Sequence, residues 1–427
     1  MRTIILFVLS LLPFVAMSQT TLDDCLRKAR EHYPEVASYG LAERSGEYSM
    51  ANAARGWQPR VVLSAQATWQ TAVASFPEYL TQMLALQGID MPGIAQDQYR
   101  LALDVSQMVW DGGVSRATQE VARRQTEVER GTTDVSLYAI EERVEELYFG
   151  LLMLDEQHEV LLSHHALVEE MLQRLRSRQQ NGTVLQSDID YMEVDRIAIE
   201  QQMEQNRALS VSYRSMLELF VGESLDGQTL TMPTAKLMLP GSERPEMRLF
   251  DMRLSAVDAQ QMLIGRRTMP VVSAFAQGFY GNPGLDMFKS MTSRNWTWNA
   301  VVGIRMQWDI SSLFNYRSDC RQLDLQRERI GLQRDVFLFN NSLLVQQRQG
   351  EVSRLQKTVA ADERITVLRE RIRRSAQSQH ENGVIDTPTL MKSIADETDA
   401  RRTYAMHAIE LQKALFDLQR TIGVQKE

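Results

Sequence analysis

Apolar residues recur along this 427-residue chain with two different periods. Ile140, Val144, Leu147, Leu151, Leu154, His158, Leu161, His165, Val168, Leu172 and Leu175 are spaced alternately by four and three. This is a heptad seam sustained for five repeats, interrupted only by its two histidines. It predicts one coiled-coil helix over 114–180, about 100 Å long at about 1.5 Å per residue. The second half matches it in length with a less regular seam, of which Ile365, Leu368 and Ile372 are the best fragment. Four other segments alternate with period two and predict strands. They are Val61 to Trp69, Tyr99 to Ser106, Val271 to Tyr280, and Trp296 to Trp308. The last is the clearest and the third alternates poorly.

The two halves repeat at a period near 200. Trp57-Gln58-Pro59 parallels Thr268-Met269-Pro270, Val109-Trp110-Asp111 parallels Gln307-Trp308-Asp309, and Asn181-Gly182 parallels Asn382-Gly383. The Leu219 to Gly222 segment parallels Gln419 to Gly423 more loosely. The main length change falls between Pro59 and Trp110, where the first half carries a longer loop. Prolines cluster at Pro233, Pro240 and Pro245 and are absent from 93–232 and 284–387, so helix breakers are excluded from two long stretches. The expected organisation is a signal segment at 1–18, a first repeat at 19–222, a linker at 223–246 and a second repeat at 247–427.

Each long helix is expected to stop at Asn-Gly, residues that tolerate a left-handed closing turn. A new helix then starts at once. Thr183 to Gln186 fits a capping box, and Thr387-Pro388 fits an N-cap followed by proline at the first helical position. Each half therefore ends in a helical hairpin with a tight tip.

The strands allow two readings, a soluble antiparallel sheet with one wet face or a membrane barrel. Tryptophan favours the barrel. All six (Trp57, Trp69, Trp110, Trp296, Trp298 and Trp308) lie in or beside the four strands. Indole rings concentrate at the two interfaces of a bilayer. Four strands cannot close a pore, since single-chain barrels begin at about eight, and an open edge inside lipid is excluded. Several chains would have to share one barrel.

The remaining composition narrows the class. Met1 to Ser18 reads as a secretory signal, with Arg2 before an apolar run and Ala16 and Ser18 at the small-residue cleavage positions. An uncleaved anchor is the other reading, and the run is short for one. No later run approaches the length of a membrane helix. A formal net charge of −8 argues against nucleic acid as a partner. Cys25 and Cys320 offer no basis for pairing. No nucleotide loop, zinc motif or nucleophile elbow is present, so no catalytic residue, cofactor or metal site is expected. His158 and His165 lie about 10 Å apart along one helix, too far for one ion, and read with His164 as packed seam residues.

The order of these features resembles the TolC family of outer-membrane efflux and secretion channels. Thr21-Leu22-Asp23-Asp24-Cys25-Leu26 through His32-Tyr33-Pro34-Glu35-Val36 is similar to that family's opening helix. Val109-Trp110-Asp111-Gly112-Gly113 resembles its strand-to-helix junction. Asn181-Gly182, followed by Ser187-Asp188, and Asn382-Gly383 resemble its hairpin tips. The resemblance implies a mostly α fold, with long helical hairpins forming an α-barrel and four transmembrane strands per chain in a 12-stranded barrel shared by a homotrimer. It implies a passive duct in outer-membrane lipid, spanning into the periplasm and hydrolysing nothing. An inner-membrane transporter would drive it through a periplasmic adaptor that meets Asn181, Gly182, Asn382 and Gly383. Asp188 matches a position that helps latch the closed tip, and Asp386 is either a second gate residue or a helix-start residue. Thr389 and Lys392 stand where the family often carries an acidic ring. A secreted coiled-coil scaffold with a small soluble sheet is the competing reading.

Overall fold

A computed structural model describes residues 19–89, 91–180, 185–235 and 244–423. The signal segment and the first tip's Asn181, Gly182 and Thr183 lie outside the described residues. In chain order the elements are β1 (Gln19–Thr20), α1 (Leu22–His32), α2 (Ala37–Ala54), β2 (Arg60–Trp69), α3 (Glu78–Leu86) and β3 (Asp97–Trp110). Then come α4 (Val114–Gln180), α5 (Gln186–Val221), β4 (Thr229–Leu230), α6 (Pro245–Arg267), β5 (Val271–Asn282) and α7 (Met287–Thr292). Finally come β6 (Thr297–Gln307), α8 (Ser312–Glu381) and α9 (Thr387–Ile422). The four predicted strands and both helical hairpins are present. The longer first-half loop carries the helix α3, which the sequence reading did not assign.

The chain divides into two compact units. One comprises residues up to 40, 130–249 and 332–427, and the other comprises 41–129 and 250–331. Each unit draws segments from both halves of the sequence.

The second unit holds an antiparallel sheet of order β2-β3-β5-β6. Its registers run without slip except for a bulge between Met108 and Trp110. β5 explains the poor alternation of its segment. Ala274, Ala276 and Gly278 share a face with the apolar rows of β3 and β6, while Phe275 and Phe279 point to the opposite face. The large rings serve there as platforms. The Arg100 guanidinium lies 4.1 Å from the Phe279 centroid, and that of Arg305 lies 4.8 Å from Phe275.

The first unit is helical. Its core forms where the heptad seam of α4 meets α1, α5 and α9. Val144, Leu151, Val168 and Leu172 are wholly buried, and each contributes about 1.5–3 kcal/mol by leaving water. Tyr148 and Phe149 lie off the seam and are equally buried. The Tyr148 hydroxyl sits 2.9 Å from the Thr20 carbonyl oxygen and 2.6 Å from that of Thr231. It thereby fastens the short parallel pair β1–β4. Burial pushes this phenol up to about 12, so it stays a donor throughout the physiological range.

The helix starts differ from expectation by one or two residues. Asp386, not Thr387, caps α9, and its side chain accepts the Thr389 N–H at 3.1 Å. Hydrogen bonding from the Thr389 side chain, and then from its N–H, holds the Asp386 carboxyl below its usual range. Pro388 follows in the first turn, where its missing N–H costs nothing. For α5 the cap is Leu185 rather than Thr183. Leucine has no side-chain acceptor, so only the reverse half of a capping box forms, the Asp188 carboxylate accepting the Leu185 N–H at 3.3 Å. Both hairpins return through helices of 36 residues that close on a left-handed glycine, Gly222 and Gly423.

Candidate functional site: a two-faced sheet with open edges

The registers assign every side chain of the large sheet to one of two faces. Val61, Leu63 and Ala65 of β2 continue into Leu101, Leu103 and Val105 of β3. The same face runs through Ala276, Gly278 and Tyr280 to Trp298, Ala300 and Val302. Polar groups enter it only near the strand ends, at Asp97, Gln107 and Asn282. This apolar face is the bare one. Leu63 is 69% exposed, and Val302 and Ile304 are 78% exposed. Contiguous exposed apolar surface marks a contact site for a membrane or for another protein surface. The opposite face carries Arg60, Ser64, Gln66, Arg100, Asp104, Gln277, Asn299 and Arg305.

The six tryptophans fall three and three at the two ends of this face. Trp57, Trp110 and Trp308 mark the end where the chain runs into helices, and the Gln107 amide donates to the Trp57 carbonyl. Trp69, Trp296 and Trp298 mark the other end. There Trp296 packs against Tyr99 and Tyr280, with centroids 5.9 and 5.2 Å apart, and Trp298 lies 5.0 Å from Tyr280. All six are at least 45% exposed. From Trp298 to Trp308 the strand rises about 33 Å at about 3.3 Å per residue. A tilt of about 40° reduces this to about 25 Å, the height of the apolar band of a membrane barrel.

Each edge of the sheet ends on a strand with one neighbour, β2 on one side and β6 on the other. Among the described residues their outward N–H and C=O groups have no strand partner. In lipid each unpaired group costs several kcal/mol.

The second tip is a tight turn. The Gly383 N–H bonds to the His380 carbonyl and the Val384 N–H to the Gln379 carbonyl, with Gly383 at a φ of 72° that penalises any Cβ. Nothing lies within 4 Å of a Cβ placed there, so the constraint is conformational. Asn382 bonds back to the Ser378 carbonyl at 2.8 Å. Val384 beyond it is 70% exposed. Of the first tip the structure describes only the flanks, Gln180 and Leu185, the latter 72% exposed.

Two adjacent histidines of α4 reach across to α5. His164 approaches Asp195 of α5 at 3.5 Å, and His165 approaches Glu200 at 3.4 Å. His164, off the heptad seam, is the more buried of the two. The sequence reading missed a buried ion network. Arg420 of α9 reaches Glu145 of α4 and Asp417, both at 2.8 Å, and Arg348 of α8 meets Asp417 at 3.2 Å. Three helices are thus tied by charges, and the Arg420–Glu145 contact between distant parts of the chain is a pairing no local pattern signals. Cys25 and Cys320 are both free thiols.

The sequence matches no family model and no curated protein. Solved structures match it in fold. The outer membrane protein VceC of Vibrio cholerae superposes with a TM-score of 0.66 at 14% identity, over 94% of this chain and 96% of that one. The CmeC outer membrane channel of Campylobacter jejuni gives 0.64 at 12%, over 94% and 85%. The MtrE outer membrane channel of Neisseria gonorrhoeae, solved in an open state, gives 0.62 at 13%, over 94% and 88%. The chain has the α-plus-β fold of these channel proteins.

Proposed function

We propose that this chain is the outer-membrane channel of an efflux or secretion system. The carrying observation is the sheet, with one face apolar, exposed and ringed by tryptophan at both ends, and with two unpaired edges. A lipid environment satisfies the face, and only closure with further copies satisfies the edges. β6 of one copy pairs with β2 of the next, an interface that generates a ring. Three copies give twelve strands, enough to leave a water-filled lumen. The fold shared with VceC, CmeC and MtrE supports this reading.

In this reading the barrel sits in the outer membrane and the hairpins extend into the periplasm. The turns at Asn181-Gly182 and Asn382-Gly383 face a periplasmic adaptor, through which an inner-membrane transporter drives export. Asp188 and Asp386 act at the gate. Both carboxylates already hold their own helix starts, so gate contacts use their remaining lone pairs. The channel is a passive duct without cofactor.

Native mass in detergent, before and after heating, tests the proposal. The expected result is a heat-labile species of three chains. A detergent-independent monomer or dimer would remove the strands from the membrane and leave the secreted coiled-coil scaffold as the better account.

A further inference from the structure

The polar face of the large sheet is not electrically balanced. It carries three cations, Arg60, Arg100 and Arg305, against one carboxylate, Asp104. None of the three arginines is in an ion pair among the described residues. Two are held flat against the wall by rings. Arg100 lies over Phe279 and donates to the Gln277 side chain at 2.5 Å, and Arg305 lies over Phe275. Asp104 is engaged differently, accepting the Gln277 amide. The carboxylate is therefore one hydrogen bond removed from Arg100 and does not neutralise it directly. The cations also sit at both ends of the face. Register places Arg60 and Arg305 near the helix-proximal end and Arg100 near the opposite end.

We infer that this face lines the pore as an anion-favouring wall, so that small anions pass the barrel more readily than cations. The inference rests on the proposed closed barrel. For twelve strands about 4.8 Å apart, tilted by about 40°, the backbone lies roughly 12 Å from the axis. Side chains narrow the open lumen to well within the Debye length, which is about 10 Å at 0.1 M salt. The wall charges therefore act across the whole cross-section. A wall potential of about one kT enriches monovalent anions about threefold and depletes cations equally. The chain's overall acidity does not oppose this, because the field inside a lumen is set by the groups lining it. A net charge of −8 for the whole chain would point the other way and is not what a solute inside the barrel meets.

Reversal potentials of the purified oligomer in planar bilayers, under a KCl gradient near 0.1 M, test this. Chloride preference is expected, weakening as salt rises. Joint substitution Arg100→Gln and Arg305→Gln shifts the reversal potential toward cation preference, while Arg100→Lys with Arg305→Lys leaves it in place. Asp104→Asn moves it the opposite way, so a loss caused by misfolding is not mistaken for support. A conducting, heat-labile oligomer whose reversal potential favours potassium, or does not respond to the glutamine pair, overturns the inference and leaves the channel intact. A heat-labile oligomer that carries no current also overturns it. Absence of any heat-labile oligomer overturns the channel itself.

Discussion

The two long outgoing helices have nearly the same length and opposite fates. In α4 the seam residues Val144, Leu151, Leu161, Val168 and Leu172 are buried within the chain. In α8 the apolar residues Val336, Phe339, Leu343, Ile365, Leu368 and Ile372 are each 46–64% exposed. They too recur at threes and fours, as 336, 339 and 343 and again as 365, 368 and 372. So bare a stripe is the kind of surface that marks a contact site. One repeat supplies a core of the first unit, and the other leaves these apolar residues bare while burying Val352 and Leu355.

Four substitutions probe that difference. Arg420→Met removes the guanidinium shared by the buried carboxylates of Glu145 and Asp417, with Arg348 remaining at Asp417, and removing one partner of a buried pair costs about 3–5 kcal/mol. Thermal unfolding followed by circular dichroism reads the loss. Leu151→Ala opens a cavity in the closed seam and costs about 2–5 kcal/mol by the same assay. Phe339→Asp changes protomer stability by no more than about 0.5 kcal/mol, as expected at an exposed site. It abolishes the heat-labile oligomer on native gels. An equal loss of protomer stability in the Leu151 and Phe339 variants would erase the distinction. The smallest effect is at the second tip. Asp386→Ala frays the first turn of α9, seen as faster amide exchange at Thr389 with the rest of the hairpin unchanged. Because the folded carboxyl is held low, the cap is complete above its ordinary value of 3.8 and disappears as pH falls through the lowered one.

The sequence disclosed what is periodic. The seam of α4, the four strands, the duplication and the tryptophan rings are all repeats of one kind or another. Local competition blurred the rest. On β5 the rings of Phe275 and Phe279 serve arginines, which inverts the expected pattern. At the α9 start, Asp386, Thr387 and Pro388 all suit the first turn, and only geometry shows which side chain reaches an orphan N–H. Tyr148 was invisible because its partners are two carbonyls from distant segments. The seam of α8 was underrated because its apolar residues are separated by polar stretches that a single chain leaves in solvent. Of the candidate site, the tryptophans were legible one by one, but their division into two sets of three required the register.

The repeats also fail to match by three residues. Val114 and Ser312, which open the long helices, are 198 positions apart, whereas Gln180 and Glu381, which close them, are 201 apart. Three residues advance a helix by about 4.5 Å and turn it through about 300°, some 60° short of a full circle. A stripe that starts in phase with its counterpart therefore arrives at the tip out of phase with it. In the ring proposed above, like hairpins could not trade places without presenting the wrong side to their neighbours. There the mismatch would serve as a built-in key, giving near-identical staves one permitted order.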